Sequence, residues 1–284
     1  MEEPLVARIT GDRGNLSRAF RLIAEVLLAD PARFMTGSVQ EIAAAANVSQ
    51  PSVVRFCRHY GFNGVPDFRI ALAMSLVAQN TTPSRPFLEP SMADKANVNT
   101  DKKRAIAAAA LGLIQTDRAV ILDSGSTLQM FASHLRDAAG LTILTAGLNI
   151  VETLWGCRQH SVIMPGGVVR FDARALTGRM LEQSLANMRF DTVYFGADNF
   201  DAEEGLSTFN EDEAHQGAAM AGVSKRVVVL VDSSKFRATS LHRFCPINRI
   251  DTVVTDWAVP DGVVATLRGH GVTVVIAPAP AQEV

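Results

Sequence analysis

Residues 123–127 read Asp123-Ser124-Gly125-Ser126-Thr127, directly after the apolar run 119–122 and directly before the amphipathic stretch 128–135. A short apolar run, a glycine flanked by hydroxyls and then a helical pattern predict strand, tight turn and helix start. At such a turn the free backbone N–H groups and the positive end of the helix dipole converge, and Ser126 and Thr127 add hydroxyl donors. That chemistry holds a phosphate. An ordinary N-capped helix would use the same residues, so the remaining strand ends have to decide.

Seven short apolar runs follow one another after residue 100: 119–122, 141–144, 161–164, 192–195, 227–231, 252–254 and 272–276. Helical patterns at 102–114, 148–155, 175–188, 211–221 and 260–269 separate most of them. Continuous Val/Ile runs alternating with helices predict an α/β domain with a mostly parallel sheet, covered on both faces, with ligands beyond the carboxyl ends of the strands. At those ends stand Asp123 to Thr127, then Thr145-Ala146-Gly147, Gly166-Gly167 after Pro165, Gly196-Ala197-Asp198, and Asp232-Ser233-Ser234-Lys235. Small residues let N–H groups approach an anion, Lys235 neutralises it, and Asp123 and Asp198 accept from sugar hydroxyls. The expected ligand is a small phosphorylated sugar or polyol.

The first 80 residues are different in kind, helical by pattern and without a convincing strand. Ser38 with Glu41 three residues on predicts a capping box, Asn47 fits a left-handed helix end, and Pro31 is expected just beyond a helix that runs to residue 28. Ser49 is expected to cap a second short helix ending at Gly61, which completes a helix-turn-helix. On a helical wheel of about 100° per residue, Val53, Phe56, Cys57 and Tyr60 share an inner face. Pro51, Val54, Arg55, Arg58 and His59 face outward, with Ser49, Gln50 and Ser52 at the N-terminal edge. Arg, Gln and an exposed valine suit base edges in a major groove, while Arg58, His59 and Arg69 suit phosphates. Residues 1–78 hold eight arginines, no lysine and seven acids. Affinity for DNA should therefore depend on a homo-oligomer (dimer or tetramer) and on salt.

The run 49–62, with Pro66-Asp67-Phe68 after it, resembles the N-terminal helix-turn-helix of the RpiR family of bacterial transcription regulators. A second resemblance covers residues 101–257. Asp123 to Thr127, Pro165-Gly166-Gly167, Phe195 to Asp198, Glu204 to Thr208, Val231 to Phe236 and Ile250 to Asp256 follow in order the pattern of the DeoR-type sensor domain. That domain is similar in fold to ribose-5-phosphate isomerase, and the resemblance implies a sugar-phosphate effector and no catalysis. Two departures stand out. Thr145-Ala146-Gly147 replaces the family's Thr-Asn-Ser, and Gly217 aligns with a position that often carries lysine.

The expected organisation is a helix-turn-helix domain over 1–78, a proline-containing linker over 79–100 and an α/β sensor over 101–284. The expected function is a DNA-binding regulator, a repressor, of sugar or polyol metabolism that answers to a phosphorylated sugar and binds operator DNA. The alternative is an isomerase-like enzyme with a DNA arm, for which Asp198 is the one candidate base. Glu211-Asp212-Glu213 reads as a solvated helix start favoured by the dipole, with Glu213 able to border the pocket.

No cofactor is expected. His134, His160, His215, His242 and His270 lack metal-site spacing, and no nucleophile elbow surrounds Ser126. Cys57, Cys157 and Cys245 show no CxxC pair and read as reduced thiols of a cytoplasmic protein. The start Met1-Glu2-Glu3-Pro4 has no leader character, and no run nears the ~18 apolar residues of a membrane span. Trp155 and Trp257 are expected in the core or at an interface. A net charge of −2 with 48% hydrophobic residues leaves DNA contact to a local surface and supplies a sizeable core.

Overall fold

A computed structural model describes residues 5–14, 16–79, 92–138 and 140–280. The chain divides into two compact units, residues 1–98 and 99–284.

The first unit is helical: α1 (Leu5–Asp12), α2 (Arg18–Ala29), α3 (Pro31–Thr36), α4 (Val39–Ala45), α5 (Gln50–His59), α6 (Val65–Gln79) and α7 (Met92–Ala96). Helix α1 was not anticipated. Pro31 follows the end of α2 by two residues, as expected, and also opens α3 at its first turn, where a missing N–H costs nothing; Asp30 accepts from Arg33 N at 3.0 Å. The capping box at Ser38 and Glu41 is formed, and Asn47 turns the chain at φ 51°. Ile23, Leu27, Phe34, Ile42, Val53, Phe56, Phe68 and Leu72 form a fully or nearly fully buried core, with Phe20, Phe56, Tyr60, Phe62 and Phe68 in edge-on or tilted ring contacts. Of the linker stretch 79–100, residues 80–91 lie outside those described.

The second unit begins with α8 (Thr100–Ala110) and continues β1 (Ala119–Leu122), α9 (Ser126–His134), β2 (Thr142–Thr145), α10 (Leu148–Thr153), β3 (Ser161–Ile163), β4 (Val168–Arg170), β5 (Ala175–Thr177), α11 (Arg179–Leu185), β6 (Phe190–Phe195), β7 (Asn199–Asp201), β8 (Gly205–Thr208), α12 (Glu211–Gly222), β9 (Ser224–Leu230), β10 (His242–Pro246), β11 (Thr252–Asp256), α13 (Asp261–Gly269) and β12 (Thr273–Ala277). Seven of these strands form one sheet in the order β12-β11-β9-β6-β1-β2-β3, every pairing parallel. They correspond to the seven apolar runs. Side chains alternate between two cores: Val120, Leu122, Tyr194, Val228 and Leu230 pack under α8 and α9, while Ile121, Val193, Phe195, Val227 and Val229 pack under α11 and α12.

The helix expected over 175–188 is shorter. Ala175–Thr177 pairs with Val168–Arg170 as an antiparallel hairpin, and Gly178, at φ 104°, separates it from α11. The three-stranded sheet β10-β8-β7 was also unforeseen. Its strands are three to five residues long and carry Asn, Asp, Ser and His, so they lack a period-2 apolar signal. Trp155 is 78% exposed, so it is not a core residue. No helix among the described residues is long and apolar enough to cross a membrane.

Candidate functional site

On α5 the inner face is as expected: Val53, Phe56, Cys57 and Tyr60 are buried. Gln50, Pro51, Arg55, Arg58 and His59 are exposed. Two outward assignments change. Ser52 is buried, its hydroxyl 2.9 Å from that of Ser49 and accepting from Arg55 at 3.3 Å. Ser49 thus stands at the N-cap position but makes no bond to the helix backbone. Val54 is half-buried and packs against the helical core. Arg69 is no phosphate contact; it is buried and donates to Phe34 O at 3.1 Å and to Gly37 O, which ties α6 to the end of α3. His59 stays exposed, its ring 5.3 Å from that of Phe20 between centroids and tilted against it by 52°. The exposed face of α5, Gln50, Pro51, Arg55, Arg58 and His59, is therefore narrower than the sequence indicated by Ser52 and Val54.

In the second unit the sheet order reverses direction between β1 and β6: from β1 the chain first builds outward through β2 and β3, then through β6, β9, β11 and β12 on the other side. A crevice opens beyond the carboxyl ends at such a switch point. The residues there are Asp123 to Thr127 after β1 and Gly196 to Asp198 after β6. Asp123 N donates to Tyr194 O at 3.0 Å, which locks the two strand ends together. Gly125 stands at the N-cap of α9 with φ 113°, a conformation that favours glycine, and apart from its chain neighbours no residue comes within 4 Å of where its side chain would be. The N-terminus of α9 is open at that point. A β-carbon on Gly196 would stand 3.5 Å from Ser124 O and 3.2 Å from Leu128, so glycine permits the close approach of the two loops.

Charged groups converge on the crevice. Lys235, mostly buried, reaches Asp198 Oδ1 at 3.5 Å. Asp123 is half-buried, and loss of solvent raises its carboxyl to about 7; N–H groups of Ser124 and Gly196 pull it down, while the negative charges of Glu213 and Asp198 push it up. Glu213 is thereby close enough to Asp123 to feel its charge. It sits in the first turn of α12, capped by Asn210 at 3.0 Å, with one carboxylate oxygen accepting from Thr208 Oγ1 at 2.9 Å and the other paired with Arg170. Arg170 lies on the hairpin β4–β5, an element the sequence did not reveal. Its pairing with Glu213 had no readable signal in the sequence.

Several of the other residues expected at the pocket are buried in backbone contacts. Thr145 and Ala146 are fully buried; Thr145 Oγ1 accepts from Gly147 N at 3.0 Å, and Ala146 O accepts from Leu176 N at 2.9 Å. Gly147 is buried and bridges to Ala175. Gly166 and Gly167 lead into the hairpin, where a β-carbon on Gly167 would lie 2.7 Å from Thr177 O. Ser126 and Thr127 are largely buried in the first turn of α9, and Ser124 is half-buried. Asn149, after β2, is fully buried; its amide donates to Gly125 O at 3.5 Å and Gln129 at 3.1 Å. It buttresses the loop after β1. His160 is a packing residue, accepting from Leu141 N at 3.1 Å and bonded to Leu135 O at 2.8 Å. Among the described residues no cluster of metal-ligating side chains occurs.

Residues 98–257, more than half the chain, match the DeoR C-terminal sensor domain, and residues 4–79 match the helix-turn-helix domain of the rpiR family. A putative aga operon transcriptional repressor of Escherichia coli O157:H7 is 39% identical over 202 residues, 71% of this chain and 74% of that protein. The transcriptional repressor AccR of Agrobacterium fabrum is 34% identical over 159 residues, 56% of this chain and 62% of that protein. Among solved structures, ribose 5 phosphate isomerase A from Neisseria gonorrhoeae aligns at a TM-score of 0.35 and 16% identity over 49% of this chain and 54% of that one. The chain belongs to the family of transcription regulators that carry a DeoR C-terminal sensor domain, here behind an rpiR-type helix-turn-helix.

Proposed function

We propose that the protein is a repressor of a sugar or polyol operon, released or engaged by a phosphorylated sugar held at the switch point between β1 and β6. The observation that carries this reading is the position of Gly125 at the start of α9, beside the end of β6, where Asp198 is paired with Lys235. Backbone N–H groups and a lysine receive the phosphate; Asp123, Asp198 and Glu213 accept from hydroxyls. Gln50, Arg55 and Arg58 read or grip operator DNA, and an even-numbered oligomer presents two such helices to paired half-sites. Effector binding favours one arrangement of that oligomer; a difference of ~100-fold in affinity between arrangements is worth about 3 kcal/mol, enough to switch occupancy.

A thermal-shift screen of phosphorylated sugars and polyols tests the pocket, since a ligand of the folded state alone raises the melting temperature. Silence across sugar phosphates would overturn it. One observation favours a second reading, an isomerase-like enzyme: loss of solvent, with the charges of Glu213 and Asp198 in addition, raises the Asp123 carboxyl to about 7, where a general base works best. Turnover of ribose 5-phosphate by purified protein would establish it, and none is expected.

A further inference from the structure

The turn that carries Lys235 has a second set of contacts on its other side. Asn99 Nδ2 donates to Asp232 Oδ1 at 3.0 Å and to Ser234 Oγ at 3.2 Å. Lys102 Nζ donates to Ser233 Oγ at 2.7 Å and pairs with Asp256 Oδ1 at 3.3 Å. Asp256 is fully buried at the end of β11 and also receives Ser233 N at 2.6 Å and Ser233 Oγ at 3.0 Å. Each of residues 232–234 is thus held by a side chain from 99–102, and the next residue is the pocket lysine, whose N–H donates to Asp232 O at 3.0 Å.

Asn99 is spent on this contact at a cost to its own helix. It occupies the N-cap position of α8, where an asparagine normally accepts from the first-turn N–H groups, yet it makes no such bond and takes a left-handed backbone, φ 54°. Lys102 faces a similar choice. Most of its side chain is covered so that its ammonium can meet a buried carboxylate, an arrangement that leaves a charge unpaired when one partner goes. Both residues open the second unit, directly after Val98, where the chain arrives from the helix-turn-helix unit.

We infer that Asn99 and Lys102 are positioning residues for Lys235: they clamp the 232–235 turn, so that the pocket lysine and the chain entering the sensor at residues 99–102 move as one element. Such a clamp gives the phosphate a physical route to the start of the sensor, because a turn drawn toward the ligand through Lys235 pulls on the same side chains that fix residues 99 and 102. By reciprocity, loosening residues 99–102 weakens the pocket. The inference rests on the phosphate-pocket reading above.

Calorimetric titration of the full chain with inorganic phosphate separates the two. The variants are Asn99→Gly, which keeps the left-handed backbone, Lys102→Met, Lys102→Arg and, as a pocket control, Lys235→Ala. The clamp requires that Asn99→Gly and Lys102→Met bind phosphate at least about fivefold more weakly than wild type, and that Lys102→Arg recover part of the loss. It also requires that phosphate slow amide hydrogen exchange at residues 99–103 in wild type but not in Asn99→Gly. If wild type binds phosphate, Lys235→Ala does not, and Asn99→Gly binds as wild type does, the clamp is wrong and the pocket stands. If wild type takes up no phosphate, or Lys235→Ala binds it equally well, the pocket reading itself fails and the clamp with it. Should Lys102→Met not fold, Asn99→Gly decides, since a merely structural staple would lower its melting temperature and leave its phosphate affinity unchanged.

Discussion

Gly217 lies against the ring of Phe244: a β-carbon at 217 would come within 2.4 Å of Cδ2. A longer side chain at 217 would meet the aromatic ring that β10 places over α12, where that ring also meets Phe195 edge-on at 5.5 Å. Gly217→Lys alone should destabilise by about 1–3 kcal/mol through overpacking, read as a lowered melting temperature. Combined with Phe244→Ala it should cost less than the two single changes summed. Additive losses in that double-mutant cycle would mean the ring and the glycine are not coupled.

The pH dependence of stability should carry the signature of Asp123. Its carboxyl is raised to about 7, from an ordinary value near 4, by loss of solvent first and by Glu213 and Asp198 in addition. A carboxyl raised in the folded state binds more protons folded than unfolded. Its contribution is fully present below the unfolded value and is lost as pH rises through the folded one. Asp123→Asn, which never ionises, should therefore melt close to wild type at pH 4 and increasingly above it as pH climbs to 7, with no further gap beyond about 8. Parallel melting curves from pH 4 to pH 8 would assign Asp123 an ordinary carboxyl.

The central strands of the main sheet were legible because runs such as Val227 to Val231 are apolar and buried on both faces, and helical periodicity sorted Val53, Phe56 and Cys57 inward. The turn chemistry at Ser38, Asn47 and Gly125 was legible for a similar reason: capping and left-handed backbone are local demands. What stayed hidden depends on distant partners. Arg170 acquires meaning only when the hairpin folds it toward Glu213, and Ser52 and Arg69 looked outward because a helical wheel cannot know that Ser49, Phe34 and Gly37 offer them partners. Strand order is hidden too, so the crevice between β1 and β6 could be listed by its residues but not placed.

On the DNA side, exposure separates roles. Arg55 is exposed on α5, whereas Arg69 is buried and bonded to backbone carbonyls. Arg55→Ala should weaken operator binding by about 1–3 kcal/mol while leaving non-specific DNA binding nearly intact, measured by fluorescence anisotropy on operator and scrambled duplexes at fixed salt. An equal loss on both duplexes would make Arg55 a phosphate contact. Arg69→Ala should instead lower the melting temperature, because Phe34 O and Gly37 O lose a donor inside the unit.

Lys235→Ala tests the sensor directly. The ammonium is mostly covered while its partner Asp198 is 40% exposed, and they stand 3.5 Å apart. Removing the lysine leaves a carboxylate that water can still solvate, so the stability cost should stay within the ~1 kcal/mol typical of an exposed pair. The functional cost should be far larger. With the positive charge gone, a phosphate at Gly125 would face an Asp198 that has lost its lysine, with the α9 N–H groups and an Arg170 already paired to Glu213 left to neutralise it. Operator binding without effector should match wild type, and the effector-induced change in operator affinity should vanish at concentrations that saturate wild type. A surviving response at wild-type concentrations would move the phosphate away from Lys235 and, with it, the pocket away from the crevice between β1 and β6.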